Sequence, residues 1–282
     1  MENDAQVKNN MDPQVVEDFG REWQAFNQNE IADEALLSAF NQYFDIFPFE
    51  KINLSSVGFD MGCGSGRWAK LIAPRVGRLN CVDPSELALA EAKNKLRAFP
   101  NCHFECASVA GASLPQESQD FGYCLGVLHH IPDTLAGIKS CSEKLKQGAP
   151  FLLYLYYRFD NKPAWYRLIW ALSDVLRQMV SRMPFGLKHF VSQLIAFSIY
   201  WPLSRIALVF EKAGFKVTNF PLSDYRTKPL YFLKTDALDR FGTRLEKRFT
   251  RKEITQMLGE AGFVDIKFSE SAPYWVAVGI RG

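Results

Sequence analysis

The stretch Val57-Gly58-Phe59-Asp60-Met61-Gly62-Cys63-Gly64-Ser65-Gly66-Arg67-Trp68 constrains this chain more than any other. A short apolar run meets an acidic residue and a Gly-x-Gly-x-Gly turn. Trp68, Leu71 and Ile72 then recur at helical spacing. The pattern predicts a strand, a tight turn and a helix. Glycines at such a turn let the backbone approach a ligand, because no Cβ stands in the way. About twenty residues on, a second apolar run, Leu79 to Val82, ends in Asp83. An acid there is placed to accept hydrogen bonds from ribose hydroxyls.

The turn departs from the dinucleotide fingerprint G-x-G-x-x-G, since its third glycine comes one residue early. Asp60 also precedes the first glycine by two residues. A carboxylate there repels a pyrophosphate and suits a ligand carrying an amino group. S-adenosylmethionine (SAM) has an ammonium, a sulfonium and a ribose, and no phosphate. On these residues the chain resembles the class I SAM-dependent methyltransferases, of the group that includes the UbiE-like enzymes, whose leading pattern reads D-x-G-x-G-x-G. The alternative is a bare glycine turn beside a solvated Asp60.

The resemblance assigns cofactor contacts. Asp60, Gly62, Cys63 and Gly64 form the first motif. Asp83 binds the ribose, and Pro84 lies against the adenine. Ser108 and Val109 follow the strand-like run His103 to Cys106, where the family contacts adenine; the family's acidic residue is absent there. Leu125 and Gly126, at the end of the run from Phe121, flank the methionine part. The expected cofactor is S-adenosyl-L-methionine, with S-adenosyl-L-homocysteine as product, and no metal. The resemblance covers 57–156 and 249–282. It implies an α/β fold: a Rossmann-like, doubly wound seven-stranded sheet with an antiparallel last strand, plus a helical insertion (cap) after strand five.

Three regions follow. Residues 1–50 read as helical, with Phe19, Trp23 and Phe26 near one turn apart and Leu36, Leu37, Phe40, Tyr43 and Phe44 continuing. Such a stripe serves core packing or closes the cofactor site; Trp23 is the candidate for the second role. Residues 51–156 and 249–282 form the cofactor-binding domain. Within it, Asp133 caps a helix carried to Gly148, and Thr250-Arg251-Lys252-Glu253 spells a capping box. Val264 to Phe268 and Tyr274 to Ile280 read as a closing hairpin.

Residues 157–248 form the third region, too long for a plain connection. Asn161 is placed to cap a helix striped by Leu168, Leu172, Val175, Leu176, Met179 and Met183. A more apolar run, Phe190 to Phe210, contains Pro202, which should kink or divide it. Gln193, Pro202 and Arg205 argue against a membrane span. From Tyr157 to Lys252 there are 18 Lys and Arg against 7 Asp and Glu, a balance of +11, whereas the remainder carries −9. A basic, aromatic-rich insertion suits a small or lipid-linked anionic acceptor, an anionic membrane surface or simply a solvated face. No nucleic-acid-binding motif is present.

The six cysteines all fall between Cys63 and Cys141 without a C-x-x-C pair, the usage of buried, reduced thiols in a cytosolic protein. The first residues lack a basic-then-apolar leader, so the expected location is cytoplasmic, with peripheral membrane contact through 157–248.

These readings point to a methyl transfer, with oxygen the favoured acceptor atom and a sugar or surface-glycan precursor one acceptor. An oxygen acceptor needs a base. His129 and His130 follow the fourth strand, and either fills that role, orients the acceptor or serves the scaffold; His130 is preferred as base. Tyr157, Arg158, Tyr225, Arg226, Asp236 and Arg240 are acceptor-contact candidates. Two other classes stay open: a non-catalytic SAM-binding membrane or partner adaptor, and a nicotinamide-dependent oxidoreductase, which Asp60 disfavours.

Overall fold

A computed structural model describes residues 9–25 and 33–282, so Phe26 lies outside the described residues. The chain divides into two compact units, one of residues 1–158 with 245–282 and one of residues 159–244.

The first unit is built on a seven-stranded sheet in the order β3-β2-β1-β4-β5-β7-β6. The strands are β1 (Val57–Met61), β2 (Arg78–Asp83), β3 (Cys102–Cys106), β4 (Phe121–Leu125), β5 (Pro150–Tyr154), β6 (Phe263–Phe268) and β7 (Val276–Arg281). The first five run parallel, and β7 enters antiparallel between β5 and β6. This is the α/β, Rossmann-like sheet with an antiparallel last strand that the first motif implies. The order reverses at β1 and β4, so their carboxyl ends open the crevice where ligands of such sheets bind.

The centre of the sheet is locked by an exchange between neighbouring strands. Gly58 on β1 pairs with Phe121 on β4, and Phe59 pairs with Gly122. A Cβ on Gly58 would lie 2.2 Å from the Phe121 ring, and one on Gly122 would lie 2.2 Å from the Phe59 ring. Each glycine leaves room for a fully buried phenylalanine on the other strand, and burying such a ring stabilises the fold by roughly 1.5–3 kcal/mol.

Helices cover both faces. Ser85 caps Glu86–Lys95, accepting from Ala88 N at 3.3 Å. Asp133 caps Thr134–Lys144, accepting from Ala136 N at 2.9 Å. That helix stops at Lys144, short of the expected Gly148, because Leu145 turns into extended backbone and Gln119 pairs with it. The Thr250–Glu253 capping box forms in full and opens Arg251–Glu260. The N-terminal segment contributes helices Pro13–Ala25 and Asp33–Tyr43. Phe40 and Phe44 are buried in the core with Trp68 and Tyr123, whereas Leu37 faces solvent.

The unit's boundaries differ slightly from the sequence expectation. Residues 245–248 belong to the sheet unit because the outgoing and returning segments are laced together. Phe249 N donates to Tyr156 O at 2.8 Å, and Arg158 N donates to Phe249 O at 2.9 Å.

The second unit is helical: Ala164–Val180, Phe185–Ile195, Trp201–Lys212 and Leu230–Gly242. Pro163, rather than Asn161, occupies the cap of the first helix. Pro202 does not divide the second. A widened π turn, Ala196–Tyr200, carries the helix into Trp201–Lys212. Proline has no N–H to donate and crowds the carbonyl four residues back, and a wide turn accommodates both defects. The unit's buried apolar cluster is small: Val180, Ile195 and Phe241, with Met183, Val191 and Tyr200 packed against it.

Candidate cofactor and proton-transfer site

The site assembles at the carboxyl ends of β1, β2 and β4. Gly62 N and Cys63 N both donate to Val82 O, at 2.7 and 3.0 Å, which folds the glycine turn back onto β2. The Asp83 carboxylate clamps that turn to the next helix. Its Oδ2 accepts from Gly64 N and its Oδ1 from Ser85 N, each at 2.9 Å. Burial pushes Asp83 up to about 6, while the Ser85 and Gly64 N–H groups pull it back. Each oxygen keeps a lone pair for a further donor, such as a ribose hydroxyl.

Asp60 is the more exceptional acid. It is 2 % exposed, and its Oδ2 has no hydrogen-bond partner. Burial raises the carboxyl to about 8; the Tyr123 hydroxyl draws it down, and Asp83 adds to the rise. A buried acceptor without a donor is costly, and a cationic ligand removes that cost. Gly126 stands at the end of β4 with φ +82 and open space where a Cβ would point. Two buried carboxylates beside open glycine backbone fit a ligand with an ammonium and ribose hydroxyls, the groups SAM carries.

A roof crosses these turns. On the Pro13–Ala25 helix, a Cβ on Gly20 would lie 2.4 Å from Ser85 Oγ, so the two elements are in close contact. One turn on, Trp23 covers the glycine turn, and a Cβ on Gly64 would lie 2.9 Å from its indole. The Arg67 guanidinium lies 4.3 Å from the Trp68 ring and 5.9 Å from the Trp23 ring. Phe19 reaches the histidine turn, with its ring 4.9 Å from that of His130. Asn10 anchors the approach: its amide donates to Asp133 O and accepts from Asp133 N, both at 2.7 Å. The same helix buries Asp18 and Glu22, acids the sequence reading passed over.

The two histidines have different settings. His129 is fully buried and stacks on Tyr156 at 3.9 Å, and neither of its ring nitrogens has a hydrogen-bond partner. Burial, with His130 and Arg248 nearby, holds it well below the ordinary histidine range, so the ring is neutral. His130 Nδ1 lies 2.7 Å from Leu245 O. A carbonyl can only accept, so Nδ1 carries the proton and Nε2 of the neutral ring is the basic nitrogen. Arg248 also lies 5.0 Å from the Tyr156 ring, and it pairs with the buried Glu246 at 2.8 Å. The sequence reading missed Leu245, Glu246, Arg248 and Tyr156. Their only trace was the tyrosine run ending β5 and the charged triplet before the capping box.

The remaining candidates divide. Gly62, Cys63, Gly64 and Pro84 lie on the two turns. Hydrogen bonding to Cys81 lowers the Cys63 thiol, but burial together with the Asp83 and Asp60 charges outweighs it, and the thiol rises to about 11 and stays neutral. Ser108 sits beyond β3, where its hydroxyl accepts from Gly111 N at 3.1 Å. Val109 and Leu125 are core side chains. The other thiols are free, and Cys106 is exposed rather than buried. Among the described residues no group of three or more His, Cys, Asp or Glu is arranged to hold a metal ion.

The proposed acceptor contacts are tied into their own units. In the sheet unit Arg158 binds Glu253 at 3.0 Å and Arg248 O at 2.8 Å, and Tyr157 packs on Tyr274. In the helical unit Arg226 grips both Glu211 oxygens at 2.7 Å. Arg240 is buried against Asp174 and Trp170, and Tyr225 packs on Tyr200. Asp236 lies half-buried on the Leu230–Gly242 helix.

Comparison with known proteins places the sheet unit. A family described as "Methyltransferase domain" matches residues 59–148. The ubiquinone biosynthesis O-methyltransferase of Idiomarina loihiensis is 28% identical over 145 residues, covering 46% of this chain and 59% of that protein. The enzyme of the same name from Pseudomonas fluorescens is 26% identical over 172 residues, covering 57% and 73%. The chain thus spans a little over half of the first relative's length. A SAM-dependent methyltransferase from Thermotoga maritima shares the fold, with a TM-score of 0.54 at 14% identity over 95% of this chain and 100% of that one. The Asp60 turn, the strand order and the matched stretch agree: residues 59–148 carry the features of a SAM-dependent methyltransferase domain.

Proposed function

We propose that this protein transfers a methyl group from SAM to an oxygen of a small or lipid-linked, anionic acceptor, with His130 as general base. One observation carries the reading: the Leu245 carbonyl fixes the His130 tautomer, and the His130 ring packs on Phe19 of the same roof helix that meets the Ser85 and Gly64 turns, with its Nε2 buried there. The similarity to enzymes named as O-methyltransferases supports oxygen as the acceptor atom.

SAM, when bound, supplies a methyl carbon activated by its sulfonium. The chain's residues do the rest. Asp60 holds an ammonium, and Asp83 accepts from ribose hydroxyls while keeping the glycine turn closed. Trp23 and Phe19 exclude water from above. His130 Nε2 takes the hydroxyl proton of the acceptor, and the resulting imidazolium is stabilised by the Leu245 carbonyl. Positioning and general base catalysis together supply the acceleration, the base contributing about 10²–10⁴-fold.

The test is incubation of the protein with methyl-labelled SAM and two acceptor pools, a bacterial lipid extract and soluble anionic glycan precursors. Label in an O-methyl product, lost in His130→Ala, supports the reading. Label that stays in SAM across both pools, with SAM tightly bound, favours the non-catalytic adaptor.

A further inference from the structure

In the helical unit the long amphipathic helices turn most of their large apolar side chains outward. On Ala164–Val180, polar Ser173, Asp174 and Arg177 turn inward beside Trp170 and Val180. Arg177 binds Asp174 at 2.6 Å and the Thr243 carbonyl at 3.0 Å. The apolar stripe Trp165, Leu168, Ile169, Leu172, Val175 and Met179 faces solvent, with Leu172 65% exposed. The next helix repeats the pattern. Ser192, Ala196, Ser204 and Ala207 are buried beside Ile195, whereas Leu187, Phe190, Leu194, Phe197 and Trp201 are exposed, Phe190 by 64%. A soluble helix normally turns its apolar stripe to the core, and an exposed apolar surface this extensive marks an interaction site.

Charge identifies the partner. Residues 159–244 carry 13 Lys and Arg against 6 Asp and Glu, a balance of +7. Arg167 and Arg182 are exposed beside the first stripe, and Lys212 and Lys216 at the end of the second. Like charge disfavours a second copy of the same face. Apolar side chains flanked by arginine and lysine, with tryptophans among them, match the boundary of an anionic bilayer.

We infer that residues 159–244 form a docking surface for an anionic lipid bilayer, lying in its interface with Leu168, Leu172, Phe190 and Phe197 inserted. The 28-residue helix Phe185–Lys212 is long and apolar enough to cross a bilayer, but one side of it is pinned within its own unit. Lys188 Nζ donates to Gly242 O at 3.1 Å, and Arg205 donates to Arg226 O and Lys228 O at 2.7 and 3.0 Å. It therefore lies on the membrane rather than spanning it. The inference stands apart from the methyl-transfer reading, since it uses none of the same residues.

The experiment is co-sedimentation of the full chain with vesicles of phosphatidylcholine alone and of phosphatidylcholine mixed with phosphatidylglycerol. Binding to the mixed vesicles, weakened by salt, is expected. Phe190→Asp with Phe197→Asp should lower it at least about tenfold, as should Leu168→Asp with Leu172→Asp. Both pairs are on exposed positions, so circular dichroism and SAM binding stay unchanged. Equal binding to neutral vesicles overturns the assignment to anionic lipid. No binding by a folded, SAM-binding protein overturns the surface itself. So does a shift from dimer to monomer in these variants with vesicle binding unaltered, which gives the face to a second copy.

Discussion

His130 Nδ1 and the carbonyl oxygen of Leu245 meet at 2.7 Å across 115 residues of sequence. The contact joins the turn after β4 to the segment that returns from the helical unit. It fixes which imidazole nitrogen is basic, so the return segment sets the protonation pattern of the site. His130→Ala should lower turnover about 10²–10⁴-fold and leave SAM affinity within a factor of two or so. Stopped turnover together with lost SAM binding would place His130 in the cofactor pocket instead.

Asp83 accepts from the backbone of Gly64 and of Ser85. Asp83→Ala removes the clamp and the ribose acceptor together. SAM binding should weaken by about 1–3 kcal/mol, measured by calorimetry on folded protein. Unchanged affinity would show that ribose is held elsewhere.

Asp60 gives the site a pH dependence. Its carboxyl, raised by burial to about 8, keeps its proton at neutral pH in the free protein. Binding an ammonium requires the carboxylate, so binding releases a proton. SAM affinity should fall as pH drops below about 8, by up to tenfold per unit. Calorimetry in buffers of different ionisation enthalpy reads the released proton directly. The folded state also holds this proton more tightly than the unfolded chain, whose value is 3.8. Stability therefore declines as pH rises between those values, and Asp60→Asn should flatten the decline while weakening SAM binding. A pH-independent affinity in the unsubstituted protein would contradict this assignment.

His129 should govern acid stability. It is neutral and buried when folded, but titrates normally when unfolded. Its contribution is intact above about pH 6.5 and is lost as pH falls below that value. His129→Phe retains a ring against Tyr156 and sacrifices no hydrogen bond. The variant should be less acid-sensitive in thermal melts between pH 5 and 7, roughly the histidine range. Equal sensitivity would assign the effect to another group.

The Gly58–Phe121 exchange predicts a purely structural lesion. Gly58→Ala sets a methyl group 2.2 Å from a buried ring. It should cost about 1–3 kcal/mol in denaturant unfolding without changing SAM affinity of the folded fraction. A loss of affinity alone would mean that the strand reports on the site rather than on the core.

The sheet unit was legible because its signals are local. The Asp60–Gly66 turn, the acid closing β2 and the Thr250–Glu253 box each specify geometry within a few residues. What escaped was non-local. Leu245 acts through a backbone carbonyl, which sequence chemistry does not single out. Arg158, Arg226 and Arg240 were read as acceptor contacts, but a guanidinium's partner depends on packing, and each found an acid or a carbonyl in its own unit. Pro202 read as a kink or a division; the helix is not divided, and the π turn before it absorbs the missing donor. The periodicity of Leu168 to Met179 was plain, but periodicity gives a face and not its direction, and this one points outward.

The most direct test of the account is calorimetric titration of the purified protein with SAM and S-adenosyl-L-homocysteine, with NAD as control. Binding of both at about micromolar affinity, a proton released with SAM and no heat from NAD are the predicted results. A folded protein that binds neither, or that binds NAD instead, would contradict the assignment of Asp60 and Asp83 and with it the central claim.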